Sequence, residues 1–126
     1  MDQKSRPKER LLFFRTKLPS VSARDAQGMI SDGAQLVDVR EKMEWDHGHA
    51  PSAKHIPLNT IPANLHKIDK TKPVIVVCRG GSRSASAAAF LAQHGFNVHN
   101  LDGGMVSWAR HGLDIVAGNG RPGTVA

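Results

Sequence analysis

The chain has 126 residues, 40% of them apolar and 22% charged, which fits one globular domain and excludes a fibrous or wholly disordered protein. Its longest apolar runs, residues 11–14, 73–78 and 87–92, fall well short of the roughly 18 residues a membrane span needs. The net charge of +6 sits mainly in residues 1–17, where six basic side chains face two acidic ones, so the body lacks the basic face of a nucleic-acid binder. No nucleic-acid or membrane partner is expected. A single cysteine excludes an internal disulfide and any multi-cysteine zinc site. No signal-peptide pattern is present, since residues 11–14 are too short an apolar stretch and Arg15 ends it. The expected setting is reducing and cytoplasmic.

In chain order, residues 1–18 read as a flexible basic leader, residues 19–116 as one domain and residues 117–126 as a flexible tail with three glycines and a proline. Pro19, Ser20 and Val21 suggest a short edge strand. Ser22 with Asp25 three residues on resembles a capping box opening a helix to about Ile30, stopped by Gly33. Residues 35–39 read as a buried strand and residues 40–45 as a short charged helix. A turn and brief strand follow over residues 51–56, then a helix over residues 61–68 whose first turn tolerates Pro62. Residues 73–77 form the clearest strand, with four consecutive β-branched residues between Pro73 and a glycine-rich turn. The clearest helix spans residues 84–94, closed by Gly95; a strand over 96–101, a Gly103-Gly104 turn and a helix over 105–111 complete the domain. Strands alternating with helices at this spacing predict an α/β fold with a parallel sheet covered on both faces. Ligands in such sheets bind beyond the carboxyl ends of the strands. That rule selects the loop after Val77.

This loop, Cys78-Arg79-Gly80-Gly81-Ser82-Arg83, joins the best strand to the best helix. The only thiol stands before a helix N-terminus, where backbone N–H groups and the helix dipole favour a thiolate. Gly80 and Gly81 permit a tight curl that turns successive N–H groups inward. Arg79 and Arg83 place two guanidinium groups beside the same pocket, suited to an oxyanion of sulfur or phosphorus.

With these residues in view, the sequence resembles the single-domain rhodaneses, the thiosulfate sulfurtransferase-like proteins. The segment from Val74 to Ser84 looks like their active-site loop. Leu36-Val37-Asp38-Val39-Arg40-Glu41 resembles a first signature, and Glu44-Trp45 with Gly48-His49-Ala50-Pro51-Ser52-Ala53, Ile56 and Pro57 resembles a second. Leu101, Gly103-Gly104-Met105 and Trp108 resemble the closing helix. Ala50 and Ser52 depart from the usual isoleucine and glycine, as packing and turn variation. The resemblance implies a rhodanese-like three-layer domain with a five-stranded, mostly parallel sheet flanked by helices. It also implies a Cys78 that cycles between thiol and persulfide, taking sulfur from thiosulfate or a persulfide and passing it to a thiol, cyanide or protein acceptor. Cys78 is then the catalytic residue, Arg79, Gly80, Gly81, Ser82 and Arg83 bind substrate, and no metal or organic cofactor is needed. Asp38 and Arg40 are expected to support the loop, either by orienting it or as a structural ion pair. His47 and His49 find no third ligand at metal-binding spacing. Trp45 and Trp108 are expected in the core or at its rim.

Two rivals follow from the same residues. A persulfide carrier or redox-sensing module would use the same cysteine without fast turnover. A cysteine phosphatase of this fold would need five residues between the cysteine and the arginine, and here four intervene.

Overall fold

The computed structural model describes residues 18–126. Of the leader expected over residues 1–18, residues 1–17 lie outside the described residues. The order is β1 (Ser20–Val21), α1 (Ala23–Ser31), β2 (Gln35–Asp38), α2 (Lys42–His47), β3 (Lys54–His55), a 3-10 segment (Leu58–Lys67), β4 (Val74–Val77), α3 (Ser82–Gln93), β5 (Val98–Leu101) and α4 (Gly104–Arg110). The five strands form one sheet in the order β1-β5-β4-β2-β3, and every pairing is parallel. The fold is α/β, a five-stranded parallel sheet with helices on both faces, as the resemblance implied.

β4 is central because its Val-Ile-Val-Val sequence is apolar on both faces, and all four residues are buried. Val74 and Val76 pack with Val37, Val39, Ile61, Leu91 and Cys78 under α3 and the 3-10 segment. Ile75 and Val77 pack with Leu36, Leu101, Met105 and Trp108 under α1 and α4. Two covered faces leave only the strand ends for chemistry.

Local sequence accounts for the boundaries. The Ser22 hydroxyl accepts the Asp25 N–H at 3.0 Å and caps α1. α2 begins at Lys42 rather than Arg40, since Glu41 takes an extended backbone and its N–H bonds the Glu44 carboxylate at 3.0 Å. The helix expected over residues 61–68 is instead a 3-10 segment from Leu58, interrupted at Asn64 (φ −124°). Pro62 cannot donate to an α-helical ladder, and the Asn64 side chain donates to the Thr60 carbonyl at 2.8 Å instead.

Residues 117–126 were expected as a flexible tail; here they double back over α2. Val116 bridges both His49 and Pro122, the Gly118 N–H bonds the Asp46 carbonyl, and the Thr124 N–H bonds the His47 carbonyl. Val125 packs against the α1/α4 side of the core. The glycines serve contact rather than freedom: a Cβ on Gly123 would lie 2.8 Å from the Gly48 Cα.

Asp38 and Arg40 are wholly buried. Arg40 Nε and Nη2 reach the Asp38 carboxylate at 2.9 and 2.7 Å, and Nη2 also donates to the Gly48 carbonyl at 2.7 Å. The pair ties the end of β2 to the turn after α2. Removing one partner strands a buried charge, so Asp38→Ala should cost about 3–5 kcal/mol in urea unfolding. Lys42→Ala, which breaks an exposed i,i+4 pair with Asp46, should cost at most ~0.5 kcal/mol in the same assay.

Candidate active site

β4 delivers Cys78 at its carboxyl end, with the residue only 1% exposed. The next turn curls around the sulfur. Cys78 Sγ accepts the Gly81 N–H at 3.0 Å and the Ser84 hydroxyl at 3.3 Å. Gly81 sits at φ +117°, a conformation that L side chains rarely adopt, and it is also the residue preceding α3. Gly80, by contrast, has no left-handed backbone and faces open space. Only Gly81 is demanded by the curl.

The carbonyls of the loop point the other way. The Cys78 carbonyl accepts the Met105 N–H at 2.8 Å, and the Arg79 carbonyl accepts the Val106 N–H at 3.1 Å. A Cβ on Gly104 would collide with both carbonyls. From β5, Asn100 Nδ2 donates to the Gly81 carbonyl at 3.1 Å. With its acceptors occupied behind, the loop presents donors in front.

Burial pushes the Cys78 thiol up, but the Ser84 hydroxyl and the N–H groups of Ser84, Gly81 and Gly80 outweigh it and hold the thiol below its ordinary value. Ser84 Oγ also lies 3.2 Å from the Gly81 carbonyl. Its one proton can serve either acceptor and turns to Sγ when the sulfur is charged.

The model of the rhodanese-like domain family matches residues 22–111 of this sequence. The chain belongs to the rhodanese-like domain family. It is 45% identical over 86 residues to a sulfurtransferase of Allochromatium vinosum, covering 68% of this chain and 80% of that protein. It is 37% identical over 94 residues to the thiosulfate sulfurtransferase GlpE of Pseudomonas savastanoi, covering 74% and 89%. Among solved structures, a rhodanese-related protein of Thermoplasma volcanium superposes with a TM-score of 0.73 at 32% identity, covering 78% of this chain and 97% of that one.

The six loop residues are contiguous after β4, but the two arginines are placed differently from each other. Arg79 is exposed, and its Nε donates to the Ala126 carbonyl at 2.8 Å. Arg83 forms a two-pronged pair with Glu44, Nη1 to Oε1 at 2.7 Å and Nη2 to Oε2 at 2.8 Å. The Arg83 bonds hold the Glu44 carboxyl down at about 2. Glu44 in turn raises the Arg83 value, with a smaller push from the Cys78 thiolate. The hydroxyl and amides lower the thiol more than the arginines do. Asp38 and Arg40 stand behind this layer and make no hydrogen bond to the Cys78 loop.

Ser84, Glu44 and Asn100 were not singled out from sequence. Ser84 had a usable signal, a small hydroxyl three residues after Gly81 in a helical first turn. Glu44 and Asn100 had none, since each reaches the loop only through strand order. Away from the loop, Trp45 lies between His49 and His55 with centroids 3.5 and 4.8 Å apart, at the rim. Trp108 is in the core and donates to the Asp114 carbonyl at 2.9 Å. His49 and His47 bond the carbonyls of Trp45 and Met43. Among the described residues no cluster of three His, Cys, Asp or Glu side chains could hold a metal, and no helix is long and apolar enough to cross a membrane.

Two measurements follow. Ser84→Ala should move the Cys78 titration upward, read from ultraviolet thiolate absorbance, which is clean because the chain has no tyrosine. Ser84→Thr should restore most of the shift. For Glu44, a depressed carboxylate stabilises the fold above the ordinary value of 4.5, and that contribution is lost as pH falls towards about 2. Glu44→Gln should therefore flatten the acid limb of stability over that window in urea titrations.

Proposed function

We propose that this rhodanese-like domain is a sulfurtransferase carrying sulfane sulfur on Cys78. The observation that carries the reading is the Cys78 sulfur, the chain's only thiol, held by a hydroxyl and an inward-facing N–H at the end of the central strand. Relatives at 36–45% identity bearing the name sulfurtransferase support the same class.

With thiosulfate as donor, the Cys78 thiolate attacks the outer sulfur. The S–S bond breaks, its electron pair leaves on sulfite, and a Cys78 persulfide remains. The loop N–H groups and the Ser84 hydroxyl then face the sulfur that carries the new negative charge. An acceptor such as cyanide, a small thiol or a protein thiol attacks the terminal sulfur and releases the Cys78 thiolate. No second cysteine stands in the chain to form a resolving disulfide, so discharge needs an external acceptor. Arg79, exposed at the mouth, receives the sulfonate end of the donor. The six-residue loop is closed by an Arg83 already bonded to Glu44, which suits one sulfur atom better than a tetrahedral phosphate.

Steady-state thiocyanate formation tests this. Cys78→Ser should keep the fold by circular dichroism and drop to the uncatalysed rate, because a hydroxyl cannot hold a persulfide. Arg79→Ala should raise the thiosulfate KM more than it lowers kcat, by on the order of 1.5–3 kcal/mol in kcat/KM. A Cys78→Ser protein that still turns over, or a wild type that transfers sulfur once and never cycles, would contradict enzymatic transfer. The second result would favour a carrier.

A further inference from the structure

We propose that Glu44 is a specificity-determining residue of this site, neutralising Arg83 so that the pocket discriminates against doubly charged sulfur donors. The proposal rests on the reading of Cys78 as the sulfur-accepting nucleophile and concerns which donor that nucleophile meets most readily.

The geometry is specific. Arg83 is the second residue of α3, five residues after Cys78, and Glu44 lies on α2, which follows β2, the strand paired with β4. The pair is two-pronged at 2.7 and 2.8 Å, with Glu44 only 14% exposed and Arg83 36% exposed. Planar pairing of this kind engages one whole edge of the guanidinium, the same edge that would otherwise grip a sulfonate. Glu44 is itself held: its Oε1 accepts the Glu41 N–H at 3.0 Å, and the buried Arg40 adds positive charge nearby. The carboxylate cannot swing away without giving up the cap of α2.

Charge around the sulfur is therefore nearly balanced. The thiolate and Glu44 offset Arg79 and Arg83; of these two arginines only Arg83 pairs with a carboxylate side chain, while Arg79 donates to the Ala126 backbone oxygen. Thiosulfate brings two negative charges to this pocket. A thiosulfonate, R–SO2–S−, offers the same sulfane sulfur with one charge fewer. In both reactions the thiolate takes the outer sulfur and the S–S pair leaves, on sulfite in one case and on a sulfinate in the other. Only the charge to be accommodated differs. With Arg83 occupied, the singly charged donor is the better match.

Glu44→Gln keeps the length of the side chain and its capping hydrogen bond while removing the charge. The KM values for thiosulfate and benzenethiosulfonate should be compared in wild type and variant at low ionic strength. The thiosulfate KM should fall about tenfold, the benzenethiosulfonate KM should change by less than about twofold, and the difference should shrink in high salt. A merely structural Glu44 would worsen both donors in parallel. Parallel changes, or a rise in the thiosulfate KM alone, overturn the proposal. If Glu44→Gln fails to fold, Glu44→Asp, too short to keep both contacts, should shift the ratio in the same direction, and an unchanged ratio there overturns it as well. A wild type that accepts sulfur from neither donor overturns the sulfur-transfer reading and this one together. Turnover of both donors with an unshifted ratio overturns this one alone.

Discussion

The site depends on one constraint: the carbonyls of the loop after β4 must be bonded somewhere other than the pocket. A tight turn exposes both kinds of backbone group, and an acceptor facing Cys78 Sγ would repel the thiolate. The first turn of α4 resolves this by donating to the Cys78 and Arg79 carbonyls, at a distance of approach that only Gly104 allows. Asn100 takes the Gly81 carbonyl from the other side. The N–H groups of Gly81, Gly80 and Ser84 are then free to act on the sulfur, and the pKa of the thiol falls in spite of burial.

A second layer holds that arrangement in register. The buried Asp38–Arg40 pair fixes the end of β2 and the Gly48 turn, and so fixes α2, which carries Glu44 to Arg83. Charges alternate from the buried Asp38 and Arg40 through Glu44 and Arg83 back to the buried Cys78 thiolate. Residues 115–126 close the outside of α2 and end beside Arg79. The pocket is thus framed by pieces of chain far apart in sequence, around a nucleophile placed by one strand.

That division explains what was legible from sequence. β4 was readable because an unbroken β-branched run has no alternative to a doubly covered strand, and the loop was readable because cysteine, glycine and arginine have few other reasons to adjoin it. Parallel strands with short crossovers led directly to the sheet. The 3-10 segment was read as a helix because periodicity does not register what Pro62 removes from the ladder. Residues 117–126 were read as free because glycine and proline suggest looseness, whereas here Gly123 and Gly48 are small so that two backbones can cross. Glu44 was quoted only as part of a resemblance. Its bond to Arg83 spans 39 positions and exists because β2 lies beside β4. A single sequence carries no local trace of that adjacency.

The most direct test of the central claim, that Cys78 is a thiolate built to accept one sulfur, is the intact mass of the protein after brief treatment with thiosulfate. The account predicts a gain of one sulfur atom located at Cys78, removed by cyanide with one equivalent of thiocyanate, and absent from Cys78→Ser. No mass gain in wild-type protein, or a gain that survives cyanide, would contradict it.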